Sequence, residues 1–149
     1  MKSLLKRYQR GEVALINKSS TPVKVLKSKG GRVLNGFYEA KSTVDYDGVY
    51  KGRAVTFEAK STKNTNRFDL KNIAQHQLDY LEEAEKIGAI CFFLMKFSKD
   101  KSVFVVPLSV IQPYVRMSHQ PKGKKSISRT DFDIYGCVAV PHCYQAEIF

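Results

Sequence analysis

The chain has 149 residues, enough for one domain with a single core and little room for a second. Its 25 Lys and Arg against 14 Asp and Glu give a formal charge of +11, beyond what solubility requires, so a polyanion is the expected partner, with a solvated lysine-rich surface as the plainer alternative. No stretch approaches the roughly 18–20 consecutive apolar residues of a membrane span, and "MKSLLKRYQRGE" lacks the apolar segment of a secretory signal, so a cytoplasmic protein without membrane partners is expected.

Along the chain, a short basic opening leads to "VALIN" at 13–17 and "VKVL" at 23–26, which read as strands or one interrupted strand around "SSTP". "KSKGGR" reads as a turn. "VLNGFYEAK" has no clean apolar period and is open between a strand and a projecting loop. "TVDYDGVY" and "AVTFEAKS", joined by "KGR", are expected to form an antiparallel hairpin. Residues 70–87, "LKNIAQHQLDYLEEAEKI", predict a helix, with Ile73, Leu81 and Ala84 at helical spacing and Gly88 where it would stop. "AICFFLMKF" and "SVFVVPLSV" follow as two apolar strands around "SKDK". "IQPYV" suggests a short helix interrupted by Pro113, "SHQPKGKKSISRTDF" a basic loop entering a short helix, and the last fifteen residues an irregular or strand-like end. No repeat or low-complexity linker divides the chain, so one α+β or α/β domain is expected over 1–149. Three cysteines make an odd count that excludes a full disulfide framework; Cys91 fits a small core residue, and Cys137 and Cys143 beside His142 lack a usual zinc spacing.

The chemistry concentrates in "VDYDGVYKGRAVTFEAKST", residues 44–62, where Asp45, Asp47, Glu58 and Lys60 sit among Val44, Val49, Val55 and Phe57. The two-residue period of a strand puts Glu58 and Lys60 on one face, with Phe57 and Ala59 on the other. If Asp45 lies on the partner strand, its carboxylate approaches that of Glu58. Two close carboxylates repel, and a shared proton or a bound cation resolves the conflict. Hard oxygen ligands without His or Cys nearby select Mg²⁺ or Mn²⁺ over zinc. Lys60 could orient an attacking water and neutralise charge on a phosphate, which makes a hydrolytic phosphodiesterase site the sharper reading. The plainer one is a Lys60 salt bridge to Glu58 or Asp45 on an exposed sheet face, worth little.

Gln77 adds weight to the sharper reading. It lies four residues after Ile73 and four before Leu81, on the helix stripe that should face the core, where an amide needs partners. A half-solvated rim position is the alternative, with Tyr80 and Ala84 carrying the contact. His76 turns away by roughly 100° and suits a surface or phosphate contact, and neither His119 nor His142 has a spacing that suggests catalysis.

Taken in order, "STPVKV", "STVDYDGVYKGRAVTFEAKSTKN", "NIAQHQ" and "GKKSI" resemble the RecU family of Holliday-junction resolvases, also called penicillin-binding-protein-related factor A, from about Gly11 to the C-terminus. The resemblance implies a restriction-endonuclease-like (PD-(D/E)xK) α/β fold, a mixed sheet flanked by helices, working as a homodimer with two Mg²⁺ sites that Mn²⁺ would also serve. It assigns the acidic pair to Asp45 and Glu58, the lysine to Lys60, the helix glutamine to Gln77 and a less specific metal contact to Thr43; with the acidic pair, the Ala59 carbonyl is expected to complete the protein's share of the Mg²⁺ ligands. Asp47 departs from the Asn expected there and reads as a turn residue. A stalk that enters the open centre of a four-way junction is expected at about 27–38, with Lys27, Lys29 and Arg32 facing phosphates. Lys51, Arg53, Lys71, His76, Lys122, Lys124 and Lys125 complete the expected DNA contacts. The family's N-terminal helix looks largely missing and the stalk looks short, as in a compact version such as a phage or prophage would encode. Recombinase or branch-migration proteins are implied only as possible partners. Two rival functions stay open at this point: a junction-binding protein with a vestigial site, and a nuclease of the same fold that cuts linear duplex.

Overall fold

In the computed structural model, residues 14–38 and 43–135 and the backbone of 137–138 are described. The framework is a six-stranded mixed sheet in the order β1-β4-β5-β7-β8-β10. Its strands are β1 (Ala14–Lys18), β4 (Tyr46–Tyr50), β5 (Arg53–Thr62), β7 (Ile90–Phe97), β8 (Ser102–Pro107) and β10 (Cys137–Val138). β5 and β7 are parallel and every other neighbour pair is antiparallel. A parallel pair needs a crossover. Here the crossover carries β6 (Arg67–Asp69), a 3-10 turn (Leu70–Asn72) and helix α1 (Gln75–Lys86). β8 then leads into α2 (Leu108–Ser118), and β9 (Ser126–Ser128) into α3 (Arg129–Tyr135).

Alternation along β7 divides the core between the two faces of the sheet. Cys91, Phe93, Met95 and Phe97 join Leu78 and Leu81 of α1, Leu108 and Ile111 of α2 and Phe132 of α3. Phe92 and Leu94 point the other way and pack with Ile16, Tyr46, Val55, Phe57 and Val105. Tyr46, Phe57 and Phe92 stack across three adjacent strands with ring centroids 4.9 and 4.7 Å apart. Cys91 is in the core as expected, and burial pushes its thiol up to about 11. Cys143 and His142 lie outside the described residues, as do the opening "MKSLLKRYQR" and the tail beyond Val138.

The "VDYDGVYKGRAVTFEAKS" hairpin forms as expected, with Tyr46 opposite Phe57 and Tyr50 opposite Arg53. Lys51 and Gly52 make its turn in the left-handed region, φ 46° and 77°, the backbone of a two-residue hairpin loop. The "VKVLKSK" and "RVLNGFY" segments pair as a separate two-stranded sheet, β2 (Val23–Lys29) and β3 (Arg32–Tyr38), closed by Gly30 and Gly31 at φ 56° and 75°. Every residue of both strands is exposed. The ambiguous "VLNGFY" is therefore a strand, and the projecting element starts at Val23, four residues before the expected boundary.

Four expectations are corrected. Asp47, read as a turn residue, lies inside β4 opposite Thr56, because the hairpin turns at Lys51 and Gly52. The helix expected over 70–87 is a 3-10 turn, a break at Ile73 and Ala74, and an α-helix only from Gln75. Leu70 donates its N–H to the carbonyl of Lys125, and Ile73 turns back to Leu70, so tertiary pairing holds this stretch out of the helix. The strand expected over "SVFVVPLSV" ends at Pro107, which occupies the N-cap of α2. α2 runs through Pro113 for 11 residues where a short interrupted helix was expected. The pairing of β6 with β9 had no expectation at all.

Gly48 sits mid-strand in β4, where a Cβ would meet the Leu15 carbonyl oxygen at 2.0 Å. Backbone cannot yield as a side-chain tip can. Gly48→Ala is expected to destabilise the fold by about 2 kcal/mol, read as a lowered urea midpoint with unchanged slope.

Candidate active site

The site forms where the β4–β5 ladder ends. Tyr46 opposite Phe57 is the last pair, so Asp45 and Glu58 face one another just beyond it. The main-chain N–H of Asp45 donates to Glu58 Oε2 at 2.9 Å. The N–H of Ala59 points back toward Asp45 Oδ2 at 3.4 Å. In a strand a residue's C=O leaves on the same side as its N–H, so the Ala59 carbonyl also faces Asp45 past the end of the ladder.

Alternation turns Glu58 and Lys60 toward α1 and Phe57 into the opposite core, as the strand period predicts. Glu58 is 2% exposed, a carboxylate inside the protein. Gln77 Nε2 donates to Glu58 Oε1 at 2.6 Å, and Lys60 Nζ lies 2.9 Å from the same oxygen. Lys60 Nζ also donates to Gln77 Oε1 at 2.8 Å, closing a three-membered ring of charge-assisted bonds. Burial raises the affinity of Glu58 for a proton, the Lys60 bond and charge oppose that, and the nearby Asp45 charge adds to it. No described buried side-chain polar atom is left without a partner. The bland alternative of an exposed surface ion pair does not describe this pair, because Glu58 is enclosed.

A hard divalent cation fits the donor set. Asp45 and Glu58 supply two carboxylates, the Ala59 carbonyl faces the same space, and a small cation that keeps several waters needs little more. Among the described residues no three His, Cys, Asp or Glu side chains cluster, so the protein's donors here are two carboxylates and a carbonyl, a set suited to an ion that keeps most of its waters. Thr43 is exposed two residues before Asp45. Asp47 accepts from Ser19 Oγ at 2.9 Å, and the Ser19 N–H donates to the Asp45 carbonyl at 2.8 Å. The end of β1, four residues before the β2–β3 hairpin begins, is thus pinned beside Asp45, a link for which the sequence carries no signal.

The expected DNA contacts fall at two ends of the molecule. Lys27, Lys29 and Arg32 occupy the exposed hairpin that leaves the sheet next to Asp45. Lys71 and His76 are exposed around the start of α1. Lys122, Lys124 and Lys125 lie in the loop after α2, which the Leu70–Lys125 bond holds at this same end. Lys124 approaches Asp131 at 3.9 Å, and the Lys125 ammonium bonds the carbonyls of Ser118 and Gln120. Arg53 is at the far end of the hairpin, about 17 Å along β5 from Glu58 at roughly 3.3 Å per residue, and Lys51 lies in the turn beyond it. There the Arg53 guanidinium bonds the Gly88 carbonyl just past α1, at 2.9 Å from Nη2.

The structure of Archaeoglobus fulgidus Hjc, a Holliday junction resolvase from an archaeal hyperthermophile, matches with a TM-score of 0.54 over 92% of this chain and 91% of that one. At 11% identity the likeness concerns the fold, which is the restriction-endonuclease-like α/β fold. A model of the family described as Recombination protein U matches residues 2–148. The protein named Holliday junction resolvase RecU of Ligilactobacillus salivarius (strain UCC118) is 33% identical over 134 residues, 87% of this chain and 62% of that protein. Its namesake in Geobacillus kaustophilus (strain HTA426) is 32% identical over 146 residues, 95% of this chain and 72% of that protein. The chain belongs to the RecU family. It spans less than two thirds of the L. salivarius protein.

Lys60→Met leaves the enclosed Glu58 carboxylate without its cation, at a cost of about 3 kcal/mol when ionised. A carboxyl whose folded affinity for protons exceeds its unfolded one stabilises fully below its ordinary range and loses that contribution as pH rises through the raised value. Urea unfolding in EDTA is therefore expected to show a larger deficit for Lys60→Met at pH 8 than at pH 5.

Proposed function

We propose that this chain is a metal-dependent endodeoxyribonuclease that resolves four-way DNA junctions by paired nicking of opposed strands. The observation that carries the reading is the enclosed constellation of Asp45, Glu58, Lys60 and Gln77, at the end of the sheet that also bears the basic hairpin and the "QPKGKK" loop. The relatives' shared name supplies the branched substrate, and the net charge of +11 suits a polyanion.

Asp45 and Glu58, with the Ala59 carbonyl, would hold Mg²⁺, and Mn²⁺ by the same donor chemistry. When bound, the ion supplies Lewis acidity and lowers the proton affinity of water at the site. The protein's own contribution is positional. Gln77 fixes the Glu58 carboxylate from above, and Lys60 sits one strand step beyond it. Lys60, held beside Glu58 and Gln77, would neutralise charge on the non-bridging oxygens of a phosphate placed at the site. Phosphate contacts along the hairpin and loop would make binding steep in salt and governed by branch shape. A homodimer would place two such sites on opposed strands, which accounts for paired cuts by symmetry alone.

Cleavage of a synthetic four-way junction and a matched linear duplex tests the proposal. Wild-type protein with Mg²⁺ is expected to nick opposed strands of the junction in preference to the duplex. EDTA should abolish the nicks, and Asp45→Asn should reduce them by at least about a hundredfold, the scale of losing a main charge-stabilising group. Equal cutting of the duplex would indicate a general nuclease, and binding without metal-dependent cutting a junction-binding protein.

A further inference from the structure

A second concave feature lies on the other side of the start of α1. A cavity of about 580 Å³ opens between β6, the 3-10 turn and the C-terminal end of α2, and Arg67, Asp69, Lys71, Gln75, His119 and Lys125 contribute its polar lining. Asp69 is the one carboxylate there, and its Oδ1 is engaged by Arg67 Nε at 3.1 Å. Lys71 and Lys125 therefore have no carboxylate partner in the lining. The Lys125 ammonium is fixed by the carbonyls of Ser118, the last residue of α2, and of Gln120 in the loop beyond it, so one charge is held in place at no further entropic cost. The adjoining helix start adds to the same field, since Ala74 at its N-cap offers no side-chain bond and its first turn carries no acidic residue.

The position of the cavity relative to the site limits what can occupy it. Gln75 lines the cavity, whereas Gln77 faces Glu58, and two residues along a helix point to opposite sides. The two features are thus separated by about one helix diameter, roughly 10 Å, across the start of α1. Successive phosphates on a strand lie farther apart than the 3.4 Å axial rise, so that distance corresponds to about one to two phosphate steps.

We propose that this cavity is a non-catalytic subsite for a backbone phosphate of the DNA strand being cut, with Lys71, His119 and Lys125 as its positioning residues. It would fix the register of the strand over α1, so that the scissile phosphate arrives at Asp45 and Glu58. The inference rests on the DNA-cleaving reading above.

The test is equilibrium binding in EDTA, over a range of salt, of the full chain and its Lys71→Gln and Lys71→Gln/His119→Gln variants. Both a four-way junction and a linear duplex serve as probes, with single methylphosphonates placed one to six nucleotides either side of the cut. Lys71 and His119 are exposed, so melting temperatures are expected to stay at the wild-type value. The wild type should lose affinity when one phosphate about one to two steps from the cut is neutralised. The variants should bind several-fold more weakly, with a salt slope shallower by about one, and should be indifferent to that same methylphosphonate. Wild-type slopes in the variants, or a methylphosphonate effect that persists undiminished in them, would overturn the subsite. Weak binding to the junction with the variant effect intact on duplex would instead remove the junction-resolving reading and leave the subsite standing.

Discussion

An ionised carboxylate enclosed to 2% exposure is expensive, and much of this molecule's local order follows from compensating for Glu58. Desolvation of such a group costs several kcal/mol, recovered only with a close cation and satisfied lone pairs. Glu58 receives both: Lys60 and Gln77 on one oxygen, the Asp45 N–H on the other. Each donor comes from a different place. Lys60 belongs to the same strand, Gln77 to the crossover helix, and Asp45 to the chain entering β4. The charge is tolerable only when β4, β5 and α1 are all in register, so the site and the core that surrounds it form together.

The same geometry sets the direction of the molecule. α1 lies across β5 with Gln77 at Lys60 and Gly88 at Arg53, so the start of the helix and the C-terminal part of β5 share one end. Because the β4 ladder stops at Tyr46, the backbone of Ala59 and the carboxylate of Asp45 meet where no strand pairs with them. A sheet edge that ends early is thus converted into a place with free oxygen donors. The Arg53 bond at the opposite end satisfies a carbonyl at the close of α1, which makes it an anchor for the helix.

Much of this was legible from the residues because the signals were periodic. Strict alternation in "VTFEAKS" separated Glu58 and Lys60 from Phe57, and the structure keeps that division. Gln77 stood out as a polar residue on an apolar stripe, and it bonds the two groups that need it. The start of α1 was not legible, because Leu70 and Ile73 keep helical spacing while a backbone bond to Lys125, 55 positions away, holds them in a turn. Likewise "SVFVVPLSV" is apolar throughout, and period alone cannot tell where strand becomes helix in such a run. The three-residue partners β6 and β9 are too short to leave any pattern.

Composition gave the charge of +11 but not its arrangement, which is set by tertiary links between distant segments. The Leu70–Lys125 bond brings the "QPKGKK" loop to the start of α1, and the Ser19–Asp45 bond pins the end of β1, four residues before the β2–β3 hairpin begins, beside the site. Two basic elements nearly a hundred residues apart in sequence therefore flank one pair of carboxylates. On the proposed function, a polyanion attracted to either element would be brought to this end of the sheet. Electrostatic attraction alone carries no register, since phosphates are equivalent. Register has to come from fixed charges at fixed spacings. Lys125, tied by its ammonium to the end of α2, and Lys60, tied to Glu58 and Gln77, are charges of that kind, held on rigid elements on either side of one helix.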